Sequence, residues 1–290
     1  MLFLIENGRI RPSKSLQDCI SSMLDGNQVF TMLDTQKVVY EEILYMAKLC
    51  QKDKRKRVMI AKGGSGTGKS VIAVNAMVNL LKEEMFGQYI TKNAAPRNVY
   101  IDRLAGKMKK NKIKSLFAAP DKFYQQQPND YDFLIVDEAH RLREKSGMFQ
   151  KGENQIQELI SSSLFTVFFI DPYQRVRFRD FGSISEFQKQ AQLQNAEVIQ
   201  YELHSQFRCN GSDGYLAWIR NMLQLEETAN FNFKDISFDF RVIDDPNELR
   251  AMICEKNDES GKARILAGYC WGWEKAGRSD PNHDDIVIGD

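Results

Sequence analysis

A chain of 290 residues with 42% hydrophobic and 27% charged residues has the composition of an ordinary globular protein, large enough for one or two domains. Its 40 Lys and Arg balance 39 Asp and Glu, so the net charge gives no indication of a polyanionic partner. The five cysteines are scattered without a C-x-x-C pair, and no apolar run approaches the roughly 20 residues that span a bilayer. These features argue against a disulfide framework, a zinc site and a membrane span, and they predict a cytoplasmic protein.

The first 50 residues predict a strand at 2–5, a short helix at 15–24 and a longer helix that Asp34 caps and that runs to about residue 50. Gln36 lies in the first turn of that longer helix. A glutamine there is most simply a solvated surface residue, but ahead of a phosphate-binding loop its amide could instead read the adenine edge with a paired donor and acceptor.

A basic run at residues 52–57 follows, and it is either a solvated loop or a contact for a polyanion. Next comes the most informative stretch of the chain. Residues 58–61 predict a short buried strand, 71–81 predict a helix, and the segment between them fits G-x-x-x-x-G-K-[ST]. The residues that match this phosphate-binding motif are Gly63, Gly64, Ser65, Gly66, Thr67, Gly68, Lys69 and Ser70.

Glycines let successive backbone N–H groups point into one concavity, and the following helix adds its N-terminal partial charge. We therefore expect Lys69 to reach the terminal phosphates of a nucleoside triphosphate and the Ser70 hydroxyl to ligate Mg²⁺. The alternative, a glycine-rich surface turn, does not account for the strand before the motif and the helix after it.

A second strand is predicted at residues 88–91, and the polar loop T-K-N-A-A-P-R follows it. Loops at the carboxyl ends of parallel strands are where such sheets bind ligands. A helical stretch with five lysines at 107–114 is either a solvated face or part of a phosphate-contacting surface.

The string Y-D-F-L-I-V-D-E-A-H at residues 131–140 predicts a buried strand with two adjacent carboxylates at its carboxyl end. One carboxylate would hold Mg²⁺, and the next would polarise the attacking water. We interpret Asp137 as the metal partner and Glu138 as the general base.

Two more strands, at residues 164–170 and about 198–203, also end in polar residues. The first leads to D-P-Y-Q, which places Gln174 where it would sense the terminal phosphate. The second leads to H-S-Q-F-R-C, in which Arg208 is either a planar clamp on the γ-phosphate or an ordinary surface arginine.

The remaining sequence predicts helices at 215–225 and 247–255, strands at 240–243 and 264–269, and a strand cut short at 286–288. Strands that alternate with helices indicate a doubly wound parallel α/β sheet.

The order of these motifs resembles that of superfamily 1 helicases of the UvrD/Rep group. The strings T-K-N-A-A-P-R, D-P-Y-Q, H-S-Q-F-R-C and G-Y-C-W-G-W resemble more narrowly the bacterial Schlafen-like group 3 DNA/RNA helicase-domain family. The resemblance implies a P-loop NTPase with a RecA-like parallel sheet that carries helices on both faces. It places the N-terminal segment and the first RecA-like domain in residues 1–200, and the start of a second RecA-like domain in residues 201–290.

The resemblance also implies ATP and Mg²⁺ in a cleft, with Gln36 at the adenine and with Gln174 and Arg208 at the γ-phosphate. Single-stranded DNA or RNA would cross the sheet near a group of loop residues, and nuclease or defence modules would be possible partners in a full-length protein. The loop residues expected at the nucleic acid are Thr91, Lys92, Asn93, Pro96 and Tyr173.

Motifs V and VI of superfamily 1 are not found in the sequence, so the resemblance predicts a fragment that binds ATP better than it hydrolyses it. The leading hypothesis is an ATP-dependent motor on nucleic acid. Two alternatives are a P-loop NTPase switch without unwinding activity and a degenerate binding module, although the intact Lys69, Ser70, Asp137 and Glu138 argue against the second.

Overall fold

The computed structural model describes residues 32, 34–93, 115–146, 152–174, 179–204, 213–229 and 239–266. The chain divides into two compact units, Met1–Lys234 and Asp235–Asp290. The predicted division near residue 200 into two RecA-like domains stays a prediction.

The described elements of the first unit alternate between strands and helices along the chain. In order they are α1 (Asp34–Asp53), β1 (Arg57–Gly63), α2 (Lys69–Lys82), β2 (Gly87–Thr91), β3 (Phe117–Ala118), β4 (Tyr131–Asp137), α3 (Gln155–Ser162), β5 (Ser163–Ile170), α4 (Ile184–Leu193), β6 (Glu197–Leu203) and α5 (Asp213–Met222). Two short 3₁₀ helices cover Pro120–Gln125 and Ala139–Arg141, and the second unit contributes α6 (Pro246–Ser260).

The six described strands form one sheet in the order β3-β2-β4-β5-β1-β6, and neighbouring strands in it are parallel. Strand β1 lies between β5 and β6, with Met59 opposite both Val167 and Ile199. Because parallel strands end at the same edge, the residues that follow β1, β2, β4 and β5 come together there. The predicted parallel α/β sheet is confirmed.

Helices cover both faces of the sheet, as the side chains of β1 show. Met59 and Ala61 belong to one core cluster, which includes buried residues of α1 and α2, whereas Val58 and Ile60 belong to a second cluster with α3 and α4. A strand buried on both faces has a continuous apolar sequence, and this explains why β1, β4 and β5 could be predicted as apolar runs.

Several predicted elements differ from the structure. Residues 240–243 do not form a strand: none of the six described strands pairs with them, and Val242 is 81% exposed. Residues 264–266 are irregular as well. Helices α3 and α4 and the two-residue strand β3 were not predicted. The elements predicted at 1–30, 107–114, 267–269 and 286–288 lie outside the described residues.

The basic run at residues 52–57 is only partly the solvated loop that its composition favoured. Arg57, at the start of β1, is 4% exposed, and its guanidinium pairs with Asp53 at 2.6 Å and Glu197 at 2.9 Å. Lys56 donates hydrogen bonds to the carbonyls of Ile160, at 2.6 Å, and Ser161, at 3.0 Å, where α3 ends. Arg57 is therefore paired with carboxylates, and Lys56 is hydrogen-bonded to backbone carbonyls, within the protein.

Within the part of the chain that is described, no helix combines the length and apolar character needed to cross a membrane.

Candidate active site

The glycine-rich loop joins the end of β1 to the start of α2. Gly66 and Gly68 have φ values of 81° and 86°, in the left-handed region that side chains rarely adopt. A Cβ on Gly68 would also overlap Nε2 of Gln36. The loop conformation therefore requires glycine at both positions because φ is positive, and at Gly68 also because a side chain would overlap with Gln36.

Lys69, the first residue of α2, folds back over this loop. Its Nζ donates to the carbonyls of Gly63 at 2.8 Å and Gly64 at 2.7 Å, and it lies 4.0 Å from the carboxylate of Asp171. The ammonium group is thus held at the edge of the sheet where the strands end, on the open side of a turn built to present backbone N–H groups.

Ser70 and Asp137 are 67 residues apart in the sequence and in direct contact in the structure. The Ser70 hydroxyl donates to Oδ2 of Asp137 at 2.6 Å, and the Tyr89 hydroxyl donates to the same oxygen, also at 2.6 Å. Burial raises the pKa of the Asp137 carboxyl, and the hydrogen bonds from Ser70 and Tyr89 oppose that change. Ionised, this carboxylate would be stabilised by a cation at the same place.

The donor set around Asp137 fits Mg²⁺. A buried carboxylate and a hydroxyl are hard oxygen ligands, and Mg²⁺ takes one or two such protein ligands and completes its shell with waters and substrate phosphates. The described residues contain no group of three or more His, Cys, Asp or Glu that would form an all-protein metal cage.

Glu138 directly follows the strand and has a strained backbone. Its φ of 54° and ψ of 42° lie in the left-handed region, which costs a non-glycine residue about 1–3 kcal/mol. Its carboxylate lies 3.1 Å from Nε2 of the buried His140, and this hydrogen bond is the first cause of the lowered pKa of the Glu138 carboxyl. The strain turns the Glu138 side chain away from the direction that the strand would give it.

At the end of β5, Asp171 organises the D-P-Y-Q turn. Its Oδ1 accepts from the backbone N–H of Tyr173 at 3.1 Å, and its carbonyl accepts from the backbone N–H of Gln174 at 3.3 Å. Gln174 is half-buried and follows this turn at the same sheet edge as Lys69. Arg208, the other predicted phosphate sensor, lies outside the described residues.

Gln36, from the first turn of α1, contacts the phosphate loop itself. It is 7% exposed, and its Nε2 donates to the Thr67 carbonyl at 2.9 Å. The amide was expected at the adenine edge, but the described bond braces the turn between Thr67 and Gly68. An adenine contact stays a prediction.

The residues predicted to meet nucleic acid follow β2 and β5. Thr91 is buried, Lys92 pairs with Asp121 at 2.9 Å, and the Asn93 side chain accepts a hydrogen bond from Arg141. Tyr173 is 40% exposed. Pro96 lies outside the described residues. Asp121 and Arg141 therefore bond to the side chains of the loop after β2, which the structure describes only as far as Asn93.

Sequence reasoning missed four side chains at this edge. Tyr89 hydrogen-bonds Asp137, His140 contacts Glu138, Arg141 contacts Asn93, and Arg220 of α5 lies beside the loop at Gly64. His140 and Arg141 directly follow the two carboxylates in D-E-A-H-R, and that proximity is a usable signal. Tyr89 and Arg220 come from other elements, so no local pattern identifies them.

Comparison with known proteins yields a relative in yeast. An uncharacterized protein of Saccharomyces cerevisiae, YPL245W, is 24% identical over 260 residues. The match covers 78% of this chain and 57% of the yeast protein, so the chain spans just over half the length of that curated relative.

Solved structures overlap with the chain only loosely. Domain III of the Thermotoga maritima replication initiation protein DnaA is 16% identical, with 88% of this chain and 95% of that chain covered and a TM-score of 0.34. The Pyrococcus furiosus Hef helicase domain is 12% identical, with 63% and 39% covered and a TM-score of 0.37. AMPPCP-bound DnaA from Aquifex aeolicus is 14% identical, with 72% and 57% covered and a TM-score of 0.31. Scores this low carry no argument about function.

A family match gives the narrower assignment. Residues 56–290 match the sequence model described as Schlafen group 3, DNA/RNA helicase domain. The matched region contains the whole sheet, the glycine-rich loop and both carboxylates, whereas Gln36 precedes it. The chain therefore belongs to the Schlafen group 3 DNA/RNA helicase-domain family.

Proposed function

We propose that this chain is the ATP-binding part of a superfamily 1 DNA/RNA helicase or translocase, which hydrolyses ATP with Mg²⁺ while it moves on single-stranded nucleic acid. The observation that carries the ATPase part of the proposal is the 2.6 Å hydrogen bond between the Ser70 hydroxyl and the Asp137 carboxylate. It joins the helix after the phosphate loop to the end of β4, and it brings together the two oxygen ligands that a nucleotide-bound Mg²⁺ would use.

In this mechanism the loop N–H groups and Lys69 hold the β- and γ-phosphates, and Ser70 and Asp137 hold the metal. Mg²⁺, when bound, neutralises charge that develops on the phosphate oxygens. Glu138 accepts the proton of the water whose oxygen bonds to the γ-phosphorus, while the bond from that phosphorus to the β–γ bridging oxygen breaks and ADP leaves with that oxygen.

Glu138 is placed to act as base because the hydrogen bond with His140 orients its carboxylate and keeps it ionised, although the lowered pKa also makes the carboxylate a weaker proton acceptor. A carboxylate that is ionised and oriented before the substrate arrives lowers the cost of positioning the water. Gln174 and Arg208 would sense the γ-phosphate, and Gln36 would contact the adenine. These roles belong to the proposal.

Nucleic acid would cross the same edge of the sheet, near Thr91, Lys92, Asn93, Pro96 and Tyr173. Two described contacts support a link between that path and the hydrolysis site. Arg141, three residues after Glu138, contacts Asn93, and the backbone N–H of Tyr173 donates to Asp171. A second RecA-like domain, beginning near residue 201, would complete the cleft.

The test is ATP hydrolysis by the full-length protein, with and without single-stranded DNA and RNA, beside Glu138→Gln. We expect stimulation by one or both polymers, and a loss of turnover on the order of 100-fold or more in the variant, since a general base contributes about that much. Glu144→Gln, an exposed glutamate six residues away, is the matched control and should hydrolyse ATP normally.

Two other outcomes would contradict parts of the proposal. Hydrolysis that Glu138→Gln abolishes but that neither polymer stimulates would indicate a P-loop NTPase switch, not a motor. Equal activity in Glu138→Gln and the wild-type protein would remove Glu138 from the mechanism.

A further inference from the structure

Arg220, on helix α5, lies beside the phosphate loop although it is more than 150 residues further along the chain. A Cβ built on Gly64 would lie 3.4 Å from Nη2 of Arg220, so the guanidinium lies near the turn. The Arg220 side chain is 35% exposed, which leaves it partly accessible to a ligand.

Two neighbours contact the guanidinium. Its Cζ lies 5.1 Å from the centroid of the Tyr173 ring, a cation–π distance, and Nη1 lies 3.4 Å from Oε2 of Glu226. The Tyr173 hydroxyl contacts the same glutamate oxygen at 3.5 Å. An exposed ion pair as long as this one contributes little by itself. The aromatic face is therefore the main element that orients Arg220 toward the loop.

Two cations lie near Gly64. Nζ of Lys69 donates to the Gly64 carbonyl at 2.7 Å, and Nη2 of Arg220 lies 3.4 Å from the position that a Cβ on Gly64 would take. The ammonium of Lys69 is the group expected at the terminal phosphates. A planar guanidinium near the same glycine presents paired N–H donors, which match the geometry of phosphate oxygens better than a second lysine would.

We propose that Arg220 contacts the terminal phosphate of the bound nucleotide and makes the site prefer a triphosphate over a diphosphate. This inference rests on the proposed ATP site and assigns a further residue to it. Glu226 opposes the contact, because its carboxylate competes for the guanidinium and repels phosphate. Tyr173 supports the contact by holding the guanidinium over the turn.

The test measures binding of AMPPCP and of ADP, each with Mg²⁺, to the full chain by calorimetry. We expect Arg220→Ala to weaken AMPPCP binding about tenfold, the equivalent of one charge-assisted hydrogen bond, and to change ADP binding less than about twofold. Arg220→Lys should be intermediate. Glu226→Gln should tighten AMPPCP binding about twofold, because it removes the competitor.

Arg241→Ala is the matched control, because that arginine is exposed, pairs with Asp239 and belongs to the other compact unit. Melting temperatures of all variants separate folding defects from binding defects. Equal weakening of AMPPCP and ADP in Arg220→Ala, or no change in either, would overturn the assignment of Arg220 and leave the ATP site intact. A wild-type protein that binds neither nucleotide would overturn the proposed function itself.

Discussion

Basic residues lie near both ends of strand β1, but their surroundings differ. At the amino end, Lys56 and Arg57 bond to carbonyls and carboxylates of α1, α3 and β6, and they tie those elements together. At the carboxyl end, Lys69 bonds to carbonyls of the glycine-rich loop, for which we propose phosphate binding, and Arg220 stacks on the exposed Tyr173. A basic residue in the sequence therefore predicts anion binding only where its protein partners leave the charge accessible to a ligand.

The largest effect is expected on nucleotide binding, at Lys69 near the carboxyl end of β1. Lys69→Met should weaken ATP-analogue binding roughly 100-fold, because charge-assisted bonds to the terminal phosphates are lost, and it should also lower the free energy of unfolding, because the carbonyls of Gly63 and Gly64 lose a donor. Calorimetric titration and urea denaturation of one preparation measure both quantities. Lys62→Met, which removes a lysine of β1 that pairs with the exposed Glu202, is the control and should bind nucleotide normally.

At the amino end only the stability is expected to change. Lys56→Met should lower the free energy of unfolding by about 2 kcal/mol, because the carbonyls of Ile160 and Ser161 lose their donor in a half-buried site. Nucleotide affinity of the folded protein should be unchanged. Lys52→Met, an exposed lysine in the last turn of α1, provides the comparison in urea denaturation. Weakened nucleotide binding with normal stability would show that the two ends are not separate.

A smaller effect, with a defined dependence on pH, is expected at Arg57. Its hydrogen bonds lower the pKa of Asp53 from 3.8 to about 2, so their contribution to stability is present above pH 4 and is lost as the pH falls toward 2. Arg57→Met should therefore lower the free energy of unfolding at pH 7 and do so progressively less in acid. Urea denaturation between pH 7 and pH 3 measures this convergence, with Lys52→Met as the exposed control. A difference that stays constant with pH would contradict the pairing.

The smallest effect has the opposite sign. Lys54 has a φ of 57°, in the turn that ends α1, and a left-handed residue with a side chain is strained. Lys54→Gly should raise the free energy of unfolding by up to about 1 kcal/mol. Lys52→Gly, inside the helix, should lower it by about as much. Thermal denaturation of the pair measures both changes, and a shift in the same direction for both variants would refute the role of the backbone angle.

The parts of the fold that the sequence predicts well are those with a local signature. Strands β1, β4 and β5 are continuous apolar runs because both faces of the sheet are covered, and the glycine spacing of the loop reflects backbone angles that Gly66 and Gly68 adopt. A short apolar run at 240–243 has the same local appearance, but none of the described strands pairs with it and Val242 is 81% exposed, so the strand predicted there was wrong.

The parts that the sequence did not predict depend on contacts between distant elements. Tyr89 is an ordinary strand residue until β2 pairs with β4 and brings its hydroxyl to Asp137. Arg220 acquires a role only because α5 lies near Gly64. The basic run at 52–57 contains both solvated and internally paired residues, and no property of the run itself distinguishes Lys52 from Arg57.

The place of β1 in the sheet has a consequence for amide hydrogen exchange. Strand β1 is hydrogen-bonded on one side to β5 and on the other to β6, and its residues from Val58 to Ala61 are buried. Amides in such a strand exchange with solvent only when the whole unit unfolds, whereas loop amides exchange through small local openings. The phosphate loop is thus a fast-exchanging segment attached directly to a slow-exchanging one. Deuterium uptake should change from slow to fast within the few residues after Gly63, and bound nucleotide should move that boundary toward α2.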